Sequence, residues 1–104
     1  MEGHSSISGD VLASYAADAA CEVTGVTGVV ESPLHRHRAV RVAEDDGAVR
    51  VELHLAVEWG VSVPEVGAAV QRRVTEYLER MADVTPAGVV VVVDEVGPPP
   101  AGSQ

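Results

Sequence analysis

Residues 49 to 59 alternate so regularly that few folds can hold them. Val49, Val51, Leu53, Leu55, Val57 and Trp59 fall on one side of an extended chain; Arg50, Glu52, His54 and Glu58 fall on the other, interrupted only by Ala56. A period of two over that length predicts a strand with one face on a core and the other wet or covered by a polar partner. On this pattern Trp59 is read first as a core residue, with an interface edge, where amphipathic rings are favoured, as the alternative. The strand breaks at Gly60 and the pattern changes. Ser62 is placed to cap a helix, with Glu65 at the capping-box spacing and Pro64 in the first turn, where no N–H is needed. Such joins often carry ligand chemistry. Here Glu58 and Glu65 flank the join without a nucleophile, a metal ligand set or a glycine-rich phosphate loop, so the sequence offers no catalytic residue.

The rest of the chain fits around that strand. A helix opens at Ile7-Ser8, capped by Ser8 with Asp10 in its first turn, and buries Leu12, Tyr15, Ala16, Ala19 and Val23 before ending at Thr24-Gly25. Val26 to Glu31 reads as a short strand, Ser32 to Arg38 as a loop, and Arg38 to Ala43 as a second strand. Asp45-Asp46-Gly47 signals a tight hairpin into the alternating strand, with Gly47 supplying the turn. The second helix spans Val63 to Ala82, with Val66, Val70, Val74, Tyr77, Leu78 and Met81 as its apolar stripe. Val89 to Val96 forms the last strand, and its run of five valines predicts burial on both faces as an inner strand. The expected fold is α+β, in the order α-β-β-β-α-β: a mixed sheet with both helices on one face and the first three strands in a meander. The last strand returns by a helical crossover to lie beside either the first or the third. Residues 1–6 are expected to be a flexible start, 7–96 the domain, and 97–104 a Pro-rich flexible tail.

With 104 residues the chain makes one small domain. Its three aromatics are Tyr15, Trp59 and Tyr77, so the core is thin and aliphatic. That thinness suggests further stability from covering a sheet face in an oligomer. A net charge of −9 argues against a nucleic-acid partner and against direct adsorption to anionic lipid. Cys21 is the single cysteine, which excludes an internal disulfide and reads as a buried small hydrophobe. No signal peptide or membrane-spanning run is visible, which points to a cytoplasmic protein without direct membrane insertion.

Three segments together resemble a known family. The Ala-rich helix ends in Cys21-Glu22-Val23-Thr24-Gly25-Val26, similar to a Glu-Val-Pro-Gly-Val pattern. Val57-Glu58-Trp59-Gly60 followed by Val63-Pro64-Glu65-Val66 is close to Glu-Tyr-Gly and Ile-Pro-Glu-Val. The Val-rich second helix and last strand complete the order over residues 7–96. The chain resembles the alkaline shock protein family of bacteria, also described as envelope stress response proteins. That resemblance implies a small cytoplasmic, non-enzymatic stress-response adaptor without a cofactor. It also implies association with itself or related members, and recruitment to the inner face of the membrane by a small membrane-anchored partner. Two departures stand out: the family's longer Gly- and Lys-rich connection is reduced to residues 31–38, and Thr24 replaces proline.

Several side chains are candidates for partner contact. His35, Arg36, His37 and Arg38, with Arg41 beyond, concentrate positive charge in an acidic chain and suit a carboxylate, phosphate or acidic helix. The polar strand face adds Arg50, Glu52, His54 and Glu58, and the second helix adds an Arg/Glu face. A metal site from His35, His37 and His54 with Glu44, Asp45 or Asp46 is disfavoured, because those acids fall at the far end of the hairpin. Gly25-Val26-Thr27-Gly28 has the Gly-x-x-Gly form of an RNA-clamping loop, which makes a small RNA-binding module the alternative reading. Glycines for a tight turn and close packing explain the same residues, and Gly60, Ser62, Pro64 and Glu65 are structural.

Overall fold

The long alternating segment forms β3 (Ala48–Val57), the strand to which every other strand is bonded. The computed structural model describes residues 8–30 and 39–98. Within them the order is α1 (Gly9–Cys21), β1 (Val26–Val29), β2 (Val40–Asp45), β3, α2 (Val63–Ala82) and β4 (Gly88–Val96). β1 and β2 both pair antiparallel with β3 along one edge. β2 takes its first half, from Val40 opposite Leu53 to Asp45 opposite Ala48, and β1 takes its end, from Val26 opposite Val57 to Val29 opposite Leu55. β4 runs parallel to β3 along the other edge. The sheet is therefore mixed, and the fold is a single α+β domain in the predicted order.

Local chemistry accounts for the element ends. Ser8 Oγ accepts from the Val11 N–H at 3.2 Å, and Ser62 Oγ accepts from the Glu65 N–H at 3.3 Å, so each serine satisfies one of the orphan donors at a helix start. Asp46 and Gly47 both have positive φ (53° and 81°), the two-residue turn whose twist matches a hairpin. Asp83, with φ 57°, closes α2 in the left-handed region.

Both helices lie on one face of the sheet: α1 over β1 and β2, α2 over β4, and the two against each other. The core joins Leu12, Ala16, Ala19 and Ala20 of α1 to Val66, Val70, Val74 and Leu78 of α2 and to Val51, Leu53, Leu55 and Val57 of β3. Small alanines on α1 let that helix approach closely. Tyr15 and Tyr77 meet edge to face at 5.9 Å, and Arg73 reaches Glu22 at 3.4 Å between the helices.

Several expectations are corrected. The first three strands are not a meander, because β1 bonds to β3 and not to β2. β4 is an outer strand; Val90 and Val96 are exposed. Its valines serve one core-facing row and one outer row, which a run of identical residues cannot distinguish. Trp59 is 57% exposed. The strand ends at Val57, the Glu58 N–H turns to the Gly25 carbonyl, and Gly60 at φ 92° swings the chain away before the alternation reaches the ring. Cys21 is exposed, half a turn round α1 from Leu12. Met81 is exposed near the end of α2, where the helix passes beyond its buried stripe.

Candidate functional site

The sheet face away from the helices holds the charged side chains of β3, and His54 is at its centre. Burial leaves this residue 7% exposed, a buried polar side chain on a face with no helix above it. Its Nε2 lies 2.7 Å from Glu52 Oε2, and its Nδ1 lies 3.0 Å from Asp94 Oδ2. Glu52 comes from the same strand, two residues back. Asp94 comes from β4, and a bulge delivers it: Leu55 is opposite Val93, then Ala56 is opposite Glu95, leaving Asp94 as the extra residue. Bulges re-aim side chains, and this one turns a carboxylate toward the imidazole.

A neutral imidazole has one N–H and donates to one carboxylate; only the imidazolium donates to both. Burial, the largest single effect, works to lower the His54 pKa. The hydrogen bonds to Glu52 and Asp94 and their negative charge outweigh it, so the pKa is raised above its ordinary 6.5. The cluster is a charged clamp between neighbouring strands. Its ring nitrogens are engaged on opposite sides, which suits proton holding and not metal capture. Among the described residues no His/Cys/Asp/Glu group is arranged to hold a metal ion.

Around the clamp, Arg41 on β2 is opposite Glu52 and Arg50 is opposite Ala43, both exposed. Val90 on β4 is opposite Glu52 and Val92 is opposite His54. Arg41, Ala43, Arg50, Glu52 and Val90 line a shallow depression of about 220 Å³. Glu58 is exposed beyond the end of β3. His35, Arg36, His37 and Arg38 lie outside the described residues. Gly25 is buried, at φ 100°, and a Cβ there would stand 3.0 Å from Val66 Cγ2. Gly28 lies inside β1, opposite Ala56, with open space around it. The Gly-x-x-Gly segment thus enters a strand, with its ends paired to β3, and does not form a loop between helices. Asp94 escaped sequence reasoning. The acidic pair Asp94-Glu95 after five valines marks the end of the apolar run, but only the parallel register and its bulge show that Asp94 is the one that meets His54.

The family model for the alkaline shock proteins, described as having a cell envelope-related function, matches residues 1–98. The chain belongs to the alkaline shock protein family. This is the family that the three sequence segments indicated. A relative of this alkaline shock family chain is the uncharacterized protein YqhY of Bacillus subtilis (strain 168), 31% identical over 93 residues that cover 80% of the chain and 69% of YqhY. Among solved structures, a doubly substituted MamM CTD aligns with a TM-score of 0.63 at 18% identity, covering 83% of this chain and 81% of that one. A singly substituted MamM CTD aligns with a TM-score of 0.57 at 15% identity, covering 86% and 98%. At those identities the likeness is one of fold. Among the described residues, no helix of this alkaline shock family protein is long and apolar enough to cross a membrane.

Proposed function

We propose that this protein is a non-enzymatic interaction domain in cell-envelope homeostasis, one that associates with itself and is recruited to the inner face of the membrane by a membrane-anchored partner. The observation that carries the reading is the alkaline shock family match over residues 1–98, with its cell envelope-related function. The site chemistry supports it: the titratable cluster of the outer face, a buried His54 between two partly exposed carboxylates, is an ion clamp whose ring nitrogens are both engaged, with no nucleophile beside it among the described residues. Arg41, Arg50 and Glu58, together with the Arg/His segment 35–38, are the partner-contact residues. His54 is buried and shapes the face from beneath.

Affinity capture of the tagged protein from gently solubilised cells, with partners identified by mass spectrometry, tests the reading. Recovery of a small membrane protein, lost when Arg41 and Arg50 are changed to Ala, is the expected result. Recovery with RNA or ribosomal proteins that survive a salt wash overturns it.

A further inference from the structure

Among the described residues no strand pairs with the far side of β4, a nine-residue edge whose backbone orientation can be read from its neighbours. The His54 N–H and C=O are bonded to Ala39 and Val30 on the β1/β2 side, whereas the Val57 carbonyl accepts from the Gly97 N–H on the β4 side. Backbone groups alternate along a strand, so Val51, Leu53 and Leu55 address β4 as well. The groups of β4 that answer them belong to Gly88, Val90 and Val92. Those of Val89, Val91 and Val93 point outward. Gln71 of α2 confirms the direction: its Nε2 reaches round the strand to the Val89 carbonyl at 2.9 Å. An outward row of this kind is usually blunted by lysine, proline or a charge. The chain has no lysine, and Gly88 to Val93 holds neither a charge nor a proline.

We infer that this edge pairs antiparallel with the same edge of a second copy of the chain, with the two-fold axis at Val91. The inference rests on the self-association proposed above and names its surface. Centring on Val91 sets Val89 opposite Val93 and Val91 opposite itself, so all three outward residues face backbone groups of matching orientation; the Val89 carbonyl, already bonded to Gln71 Nε2, takes the incoming Val93 N–H on its second lone pair. Shifting the centre to Val90 or Val92 leaves one of the three without such a partner among them. The same register decides the charges. Asp94 of the second copy falls opposite Gly88, which has no side chain, and Arg50 is the neighbour of Gly88 on β3. Asp94 and Arg50 are outer-face residues about two strand spacings apart, roughly 10 Å between Cα atoms, a span that an extended arginine and an aspartate bridge together. Exposed Val90 meets Val92 of the second copy, so the apolar surface of each is covered. On the helix side, Gly67 and Thr75 lie one turn either side of Gln71, an uncharged stripe beside an otherwise charged helix surface. Two such stripes face each other across the axis without like-charge contact.

The test uses Gly88, where a Cβ meets nothing within 4 Å. Gly88→Glu sets a carboxylate against Asp94 of the second copy, and Gly88→Lys sets an opposite charge there. Sedimentation of the full chain is expected to show a wild-type dimer, a dissociation constant at least about tenfold weaker for Gly88→Glu, and no weakening for Gly88→Lys, all with unchanged circular dichroism. Hydrogen exchange is expected to show protected Val91 and Val93 amides in the wild-type dimer. A dimer with freely exchanging Val91 and Val93 amides, or one indifferent to both substitutions, overturns this edge while leaving self-association to another surface. A wild-type chain that stays monomeric at about 100 μM, or whose edge amides become protected only when another protein is added, overturns both.

Discussion

Leu53 and His54 are neighbours on β3 and almost equally hidden from water, at 0% and 7% exposure, yet they point to opposite faces of the sheet. Leu53 is covered by two helices and held by dispersion and the removal of apolar surface from water. His54 has no helix above it and is held by two carboxylates. One side of the strand is therefore indifferent to pH, and the other is governed by a proton. The contrast shows that burial alone does not identify the force behind a residue's position; the partner chemistry does.

The strongest way to break the comparison is on the helix side. Leu53→Ala is expected to cost about 2–5 kcal/mol, equally at every pH where the protein folds, by urea denaturation. A loss under about 1 kcal/mol would mean that the helices settle into the gap. Next are two glycines that address opposite faces. Gly25→Ala forces a Cβ toward Val66 in a left-handed backbone and should cost about 1–3 kcal/mol, whereas Gly28→Ala, with open space on the outer face, should stay within about 0.5 kcal/mol of wild type.

His54→Gln sharpens the outer half of the comparison. At about pH 6 it should cost about 1 kcal/mol, the scale of hydrogen bonds to charged partners with partial solvent exposure. The folded-state pKa is raised, so the histidine's contribution is full below 6.5 and is lost as pH rises through the higher folded value. Thermal melts of wild type and variant should therefore converge on going from about pH 6 into the alkaline range. Parallel melts across that range would exclude the proton as the clamp's source of stability. Smallest of all, Trp59→Ala should change stability by less than about 0.5 kcal/mol despite its size, because the ring stands outside both faces.

What could be read from the sequence follows the distance over which each feature is decided. The span of α2, both serine caps and the Asp46-Gly47 turn are settled within a few residues, and their signals are local chemistry. The β3 alternation is equally local, and it marks the core row correctly up to Val57. It fails at Trp59, because the pattern cannot show where backbone bonding leaves the sheet. β1 choosing β3 over β2, and β4 lying outside, depend on which hydrogen-bonding edge is open, and a valine fits an inner or an outer strand equally. At the site, Glu52 and His54 are visible as a polar pair on one face. Asp94 needs a parallel register across 40 residues, and a bulge that no spacing rule announces.

The arrangement of strands around β3 also has a temporal side. The β2–β3 hairpin can close as soon as Ala48 to Val57 has been made, since its turn is two residues long. β4 is the last element of the domain to be synthesised, and it reaches β3 only after all of α2 is in place. During translation the β4 side of the central strand thus waits longest for its partner. The clamp that joins the two strands is bound by that order: His54 is made early, and Asp94 cannot close on it until the last strand of the domain has been made.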